Sequence, residues 1–113
     1  MPRDDATLLD LSRAGQLARE FVAGMDKHAF LQDVKTQSAV VHQILVLGEA
    51  AKRLSAGFRD QHPEIPWTLI AGMRDRLIHH YDSVDLDQVW NTLQNDIPTL
   101  LTWLAPLLKR EES

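Results

Sequence analysis

The sequence predicts an all-α fold, an antiparallel four-helix bundle. Three observations predict it. Apolar residues recur at three- and four-residue intervals over long stretches. The period-two alternation of a half-buried strand is absent throughout. Five prolines and five glycines in 113 residues are too few for a fold of short strands and tight turns. That length suits one domain, residues 1–113, able to bury a core without staples.

The first helix is expected over about 5–24. Asp4 and Asp5 stand where a helix N-terminus favours a cap and negative charge. Leu8, Leu11, Ala18, Phe21, Val22 and Met25 follow at helical spacing, and Gly24 suits the stop. Asp26 to Leu31 is a short link or a single helical turn, with Phe30 tucked inward. The second helix is expected over 33–55. Its stripe of Val40, Ile44, Leu47, Ala51 and Leu54, widened by Val41 and Leu45, should bury against several neighbours. Gly48 costs this helix about 1 kcal/mol against alanine, and its expected use is to let another backbone come close. Glu49, on the side away from Val40, reads as a solvated carboxylate or as a partner for an arginine across an interface.

Ser55 to Pro66 is the main break, because Pro63 and Pro66 exclude a continuous helix. Pro66 is well placed to open the third helix, 66–81. After a loop over Asp82 to Asp85, Asp85 caps the fourth helix, 86–109. Its stripe is Leu86, Val89, Trp90, Leu93, Ile97, Leu100, Leu101, Leu104 and Leu108. Pro98 should kink this helix, and Pro106 should interrupt it again near its end. Trp67, Trp90 and Trp103 sit on apolar stripes and read as core rather than as platforms for stacked bases.

Composition narrows the function classes. The absence of cysteine excludes disulfides and thiolate metal sites, and fits a reducing cytoplasm. The opening residues MPRDDATLLD lack the basic-then-apolar pattern of a signal peptide, and no apolar run approaches the ~20 residues of a membrane span. A net charge of −4 excludes nucleic-acid binding by bulk charge, so any such role needs a local basic site, built from one chain or two.

The stretch PWTLIAGMRDRLIHHY, Pro66 to Tyr81, gathers the groups able to carry chemistry: Arg74, Arg76, His79, His80 and Tyr81. On a regular helix Trp67, Ile70, Leu77, Ile78 and Tyr81 share one face, with Arg74 in its middle. A buried guanidinium without a partner is very costly, so either a carboxylate meets Arg74 or the face opens into a wet cleft. His79 lies roughly 140° around the same helix, on a polar face with Thr68, Gly72 and Asp75. Asp75, one turn back, could hold the imidazole in one tautomer; the alternative is a surface histidine beside a helix C-terminus. One ideal helix does not bring Arg74 and His79 together. Either it loosens before His79, or a second copy supplies the missing partner. Arg76 reads as an exposed arginine or a phosphate contact, and His80 as a cleft-lining residue or a neighbour of Met73. His42 and His62 have no identifiable partner. His79 and His80 are adjacent and point apart, so no metal cluster is expected, and no cofactor.

Arg74, four residues, His79, one residue, Tyr81 resembles the signature of the HEPN superfamily in its HepT-like form. LGEAAKRLS (Leu47 to Ser55), HPEIPWTLIAGMRDRLIHHY (His62 to Tyr81) and VDLDQVWNTLQNDIPTL (Val84 to Leu100) are similar to this family in its order and spacing. The resemblance spans Asp5 to about Leu104. Asp75 departs from it, since asparagine is common there in relatives, but the position stays polar. The resemblance implies a helical bundle that forms a homodimer, bringing two Arg–His motifs into one cleft. It implies a metal-independent endoribonuclease, the toxin of a type VII-like toxin–antitoxin pair. The antitoxin would be a minimal nucleotidyltransferase that attaches AMP to the motif tyrosine. Carried over, Arg74 and His79 are catalytic, Tyr81 is the modification site, and Asp75, Arg76 and His80 are supporting. The alternative is a non-catalytic helical dimer that binds a nucleotide or a nucleotidyltransferase partner.

The residue types suit RNA cleavage by the adjacent 2′-hydroxyl. A histidine can act as base or acid near neutral pH, and arginine offers a fixed fork of donors to developing phosphorane charge. A two-fold dimer supplies two histidines, one for each proton role.

Overall fold

The computed structural model describes residues 2–80 and 83–112, with side chains over 4–77 and 83–108. Among the described residues the chain is all-α apart from one short antiparallel strand pair. Its elements are α1 (Pro2–Phe21), α2 (Lys27–Leu31), α3 (Val34–Arg53), α4 (Ala56–Gln61), α5 (Trp67–Ala71), α6 (Met73–Leu77), β1 (Ile78–His80), β2 (Ser83–Val84), α7 (Leu86–Asn91), a π-helical turn (Thr92–Asp96) and α8 (Ile97–Glu112). α1 packs between α3 and α8, while α5 and α6 lie on α3. The start of α1 meets the end of α3, where Asp4 bonds Ser55. Its end meets the π turn, where Arg19 bonds Leu93. Both neighbours therefore run antiparallel to it. Leu8, Leu11, Val40, Ile44, Leu47, Val89, Leu93, Ile97, Leu100 and Leu104 form the buried centre, close to the stripes expected from spacing. Phe30 is fully buried and meets Trp90 with ring centroids 5.4 Å apart.

Four helix starts follow the capping rules, and one expected cap takes another role. Asp26, Asp33, Ser55 and Asp85 cap α2, α3, α4 and α7 by accepting from Ala29, Thr36, Phe58 and Gln88 amides. The Ser55 cap starts α4 inside the segment expected to be a plain break. Asp4, expected to cap the first helix, lies inside it, because α1 begins at Pro2. Its carboxylate instead accepts from the Ser55 amide at 3.0 Å and the Ser55 hydroxyl at 2.7 Å. It thereby ties α1 to the α3–α4 corner. These bonds hold the buried Asp4 carboxyl below its ordinary value of 3.8. The Thr36 amide and hydroxyl do the same for Asp33.

Both groups release their protons more readily folded than unfolded. Their contribution is complete above the unfolded value and is lost as pH falls through the lower folded values. Asp4→Asn is expected to lower stability at neutral pH by about 1–3 kcal/mol. It should also make stability fall less steeply in acid. Urea unfolding at neutral pH and along an acid series reads both.

The glycine that ends the first helix does what spacing suggested: Gly24 turns the chain at φ 80°. The fourth helix departs from its expected form. Pro98 has no amide to offer, and the turn before it widens so that the Ile97 amide bonds the Thr92 carbonyl, five residues back. The Leu93 carbonyl is left without a helical donor, and Arg19 Nη1 supplies one at 3.1 Å. The interruption expected at Pro106 is absent, since α8 runs through it to Glu112. Pro106 and Thr102, whose carbonyl loses its partner, are both exposed, so water can satisfy that group.

Candidate active site

The third helix, expected over 66–81, stops at Leu77. It bends once at Gly72, where hydrogen bonds from Gly72 to Thr68 and from Arg76 to Gly72 carry the helical pattern across. After Leu77 the backbone becomes extended, and β1 pairs antiparallel with β2 in the register Ile78 to Val84 and His80 to Ser83. The Asp85 amide closes the hairpin by donating to the Leu77 carbonyl at 2.9 Å. That carbonyl would otherwise be a helix end needing a donor. The sequence carried a signal for this. Ile78, His79, His80 and Tyr81 are all weaker helix formers, and Ile78 and Tyr81 favour strands. The motif therefore straddles a junction, with Arg74 on α6 and the His79 backbone on β1. Of the two ways left open, the helix does loosen before His79.

Arg74 is not buried on the apolar face. Trp67, Ile70, Met73 and Leu77 fill the core contacts, and the Arg74 side chain stays 43% exposed. Its Nη1 meets the Asp75 carboxylate at 3.0 Å, a pair formed with the next residue and open to solvent. Such exposed pairs contribute about 0–1 kcal/mol, so the guanidinium is available to an anion. Asp75, expected to orient His79 from one turn back, is occupied by Arg74, and the helical turn that would align it with His79 has ended. Arg76 is exposed and donates from Nη2 to the Leu69 carbonyl at 3.2 Å. The side chains of His79 and His80, and all of Tyr81, lie outside the described residues.

Close packing against α3 sets where Arg74 starts. A Cβ placed on Gly48 would lie 3.4 Å from the Ala71 carbonyl oxygen and 3.7 Å from the Arg74 Cβ. The glycine does admit the backbone of the α5–α6 bend, as its position suggested, with room for one methyl. Gly48→Ala is therefore expected to raise stability by up to about 1 kcal/mol through helix propensity. Gly48→Val should lower it by about 1–3 kcal/mol by forcing the bend away; thermal unfolding of the two variants separates these signs. Glu49 next to it is solvated, 3.7 Å from Lys52, in line with the plainer of its two readings. His62, without a partner in the sequence, stands against Phe58 and 3.7 Å from Glu64. Trp67 is core, whereas Trp90 and Trp103 are half-buried at its edge. No helix among the described residues is long and apolar enough to cross a membrane.

A sequence profile of the family described as "Ribonuclease HepT-like" matches residues 11–106. The chain is 44% identical over 93 residues to "Probable ribonuclease HepT" of Thermococcus cleftensis, covering 82% of this chain and 84% of the relative. It is 34% identical over 111 residues to "Putative RNase MJ0127" of Methanocaldococcus jannaschii, covering 96% and 92%. No solved structure matches the chain.

Proposed function

Because the chain belongs to the HepT-like ribonuclease family, we propose that it is an endoribonuclease whose working cleft forms between two copies and uses Arg74 and His79 of each. The observation that carries this reading is the half-exposed Arg74 guanidinium, held on α6 one element before the strand backbone of His79. Among the described residues its partner is the exposed Asp75 carboxylate, which a phosphate can displace. One histidine takes the 2′-hydroxyl proton. The resulting oxygen attacks the adjacent phosphorus, and the bond to the 5′-oxygen breaks. The second histidine gives that oxygen a proton, leaving a 2′,3′-cyclic phosphate and a 5′-hydroxyl. Arg74 stabilises the charge on the phosphorane. These groups supply acid, base and positive charge from the protein itself, so the reaction needs no metal.

In this reading the protein is a toxin restrained by a minimal nucleotidyltransferase. The Tyr81 hydroxyl attacks the α-phosphorus of ATP, and pyrophosphate leaves. The attached AMP brings bulk and a negative phosphate to the motif, which opposes binding of RNA phosphate. Purified unmodified protein is expected to cleave RNA in the presence of EDTA and to leave cyclic phosphate ends. If it cuts no RNA and its expression does not slow growth, the enzyme reading is lost. A second reading has some support in the net charge of −4: a non-catalytic dimer that binds a nucleotide or a nucleotidyltransferase through Arg74. In that case His79→Ala is silent while Arg74→Ala breaks partner binding.

A further inference from the structure

Between α5–α6 and the start of α8 lies a cleft of about 170 Å³. Its floor is apolar, from Ile70, Met73 and Leu100, and its rim carries Arg76, Asp96 and the half-buried Trp103. Whole drug-sized ligands take about 300–1,000 Å³, so this space suits a single flat ring system. The two rim charges are opposite, and yet they form no ion pair with each other. Asp96 has no partner at all among the described residues. One arm of Arg76 is pinned by the Leu69 carbonyl, which fixes the direction of its remaining donors. Asp96 is the last residue of the π-helical turn. Such single widened turns are often found at functional sites, and this one puts the carboxylate on the cleft rim.

We infer that this cleft is a guanine-binding subsite, with Asp96 reading the base from one side and Arg76 from the other. Of the four RNA bases, guanine alone presents two neighbouring N–H donors on one edge, which match the two oxygens of a carboxylate. Its O6 and N7 are both acceptors and match an arginine fork. Trp103 offers a face for stacking, a contribution available to any base. Selection therefore falls to the two charges. Adenine and cytosine present a donor beside an acceptor to Asp96, and uracil a lone N–H between two carbonyls. The inference rests on the ribonuclease reading only for its expectation that the bound base belongs to RNA.

Titration of the ¹⁵N-labelled protein with GMP, AMP, CMP and UMP tests it. The indole N–H signal of Trp103, assigned with Trp103→Phe, is expected to shift saturably with GMP and little with the others. Asp96→Asn, a change at an exposed side chain, should weaken GMP binding about tenfold and leave the unfolding midpoint unchanged. No saturable shift at Trp103, or equal shifts with all four nucleotides, overturns the subsite. So does a Trp103 signal that moves with protein dilution and not with GMP, since a second copy then covers the cleft. GMP binding without RNA cleavage supports the subsite and sinks the enzyme reading; cleavage with no GMP response does the reverse.

Discussion

His79→Ala is expected to slow RNA cleavage by about 10²–10⁴-fold, the loss that follows removal of a positioned acid or base. In a two-fold dimer one substitution removes both imidazoles, so neither proton role survives and the upper part of that range applies. Initial rates on a short labelled RNA, with RNA binding measured separately, give the result. Binding should hold while the rate collapses, because imidazole moves protons where arginine holds phosphate. A variant that cleaves at the parental rate would remove His79 from the mechanism. The His79 backbone lies in β1, closed by the Asp85 to Leu77 hydrogen bond. The unfolding midpoint therefore serves as the control that the hairpin still forms.

Arg74→Ala is expected to reduce cleavage by about 10²–10³-fold, the typical cost of losing one donor to a developing oxyanion. Arg74→Lys should recover only part of this, since an ammonium keeps the charge but not the planar fork. The structure separates this effect from stability. The guanidinium is 43% exposed and its pair with Asp75 is solvent-facing, so unfolding free energy should move by less than about 1 kcal/mol in either variant. A large loss of stability with activity retained per folded molecule would mean that Arg74 is structural. Its Cβ against Gly48 would then be its main contribution.

Much of the fold was legible because burial leaves a periodic mark. The stripes through α1, α3 and α8 place Leu8, Leu11, Ile44, Leu47, Leu100 and Leu104 in the core, where they are found. The cap at Asp85 and the start of a helix at Asp33 were equally readable from residue type and position. Arg74 was legible as a candidate but not its environment. Periodicity put it mid-face, and only packing shows that Met73 and Leu77 close the core beside it. Asp96 left no trace in the sequence, since an unpaired aspartate on a helix reads as a solvated one. Trp103 was read as core, and its half-burial at a cleft rim depends on how far α5 and α6 stand from α8.

The sequence by itself determined the all-α class, the places of its long apolar stripes, and the Arg74, His79, Tyr81 spacing. These are local properties, set by side-chain volume and backbone preference within a few turns. Tertiary structure alone decided that Asp4 serves Ser55 across the bundle rather than its own helix. It also decided that Arg19 completes the turn opened by Pro98. Each of these is a backbone group seeking its hydrogen-bond partner, and when the partner lies tens of residues away, no local pattern can name it.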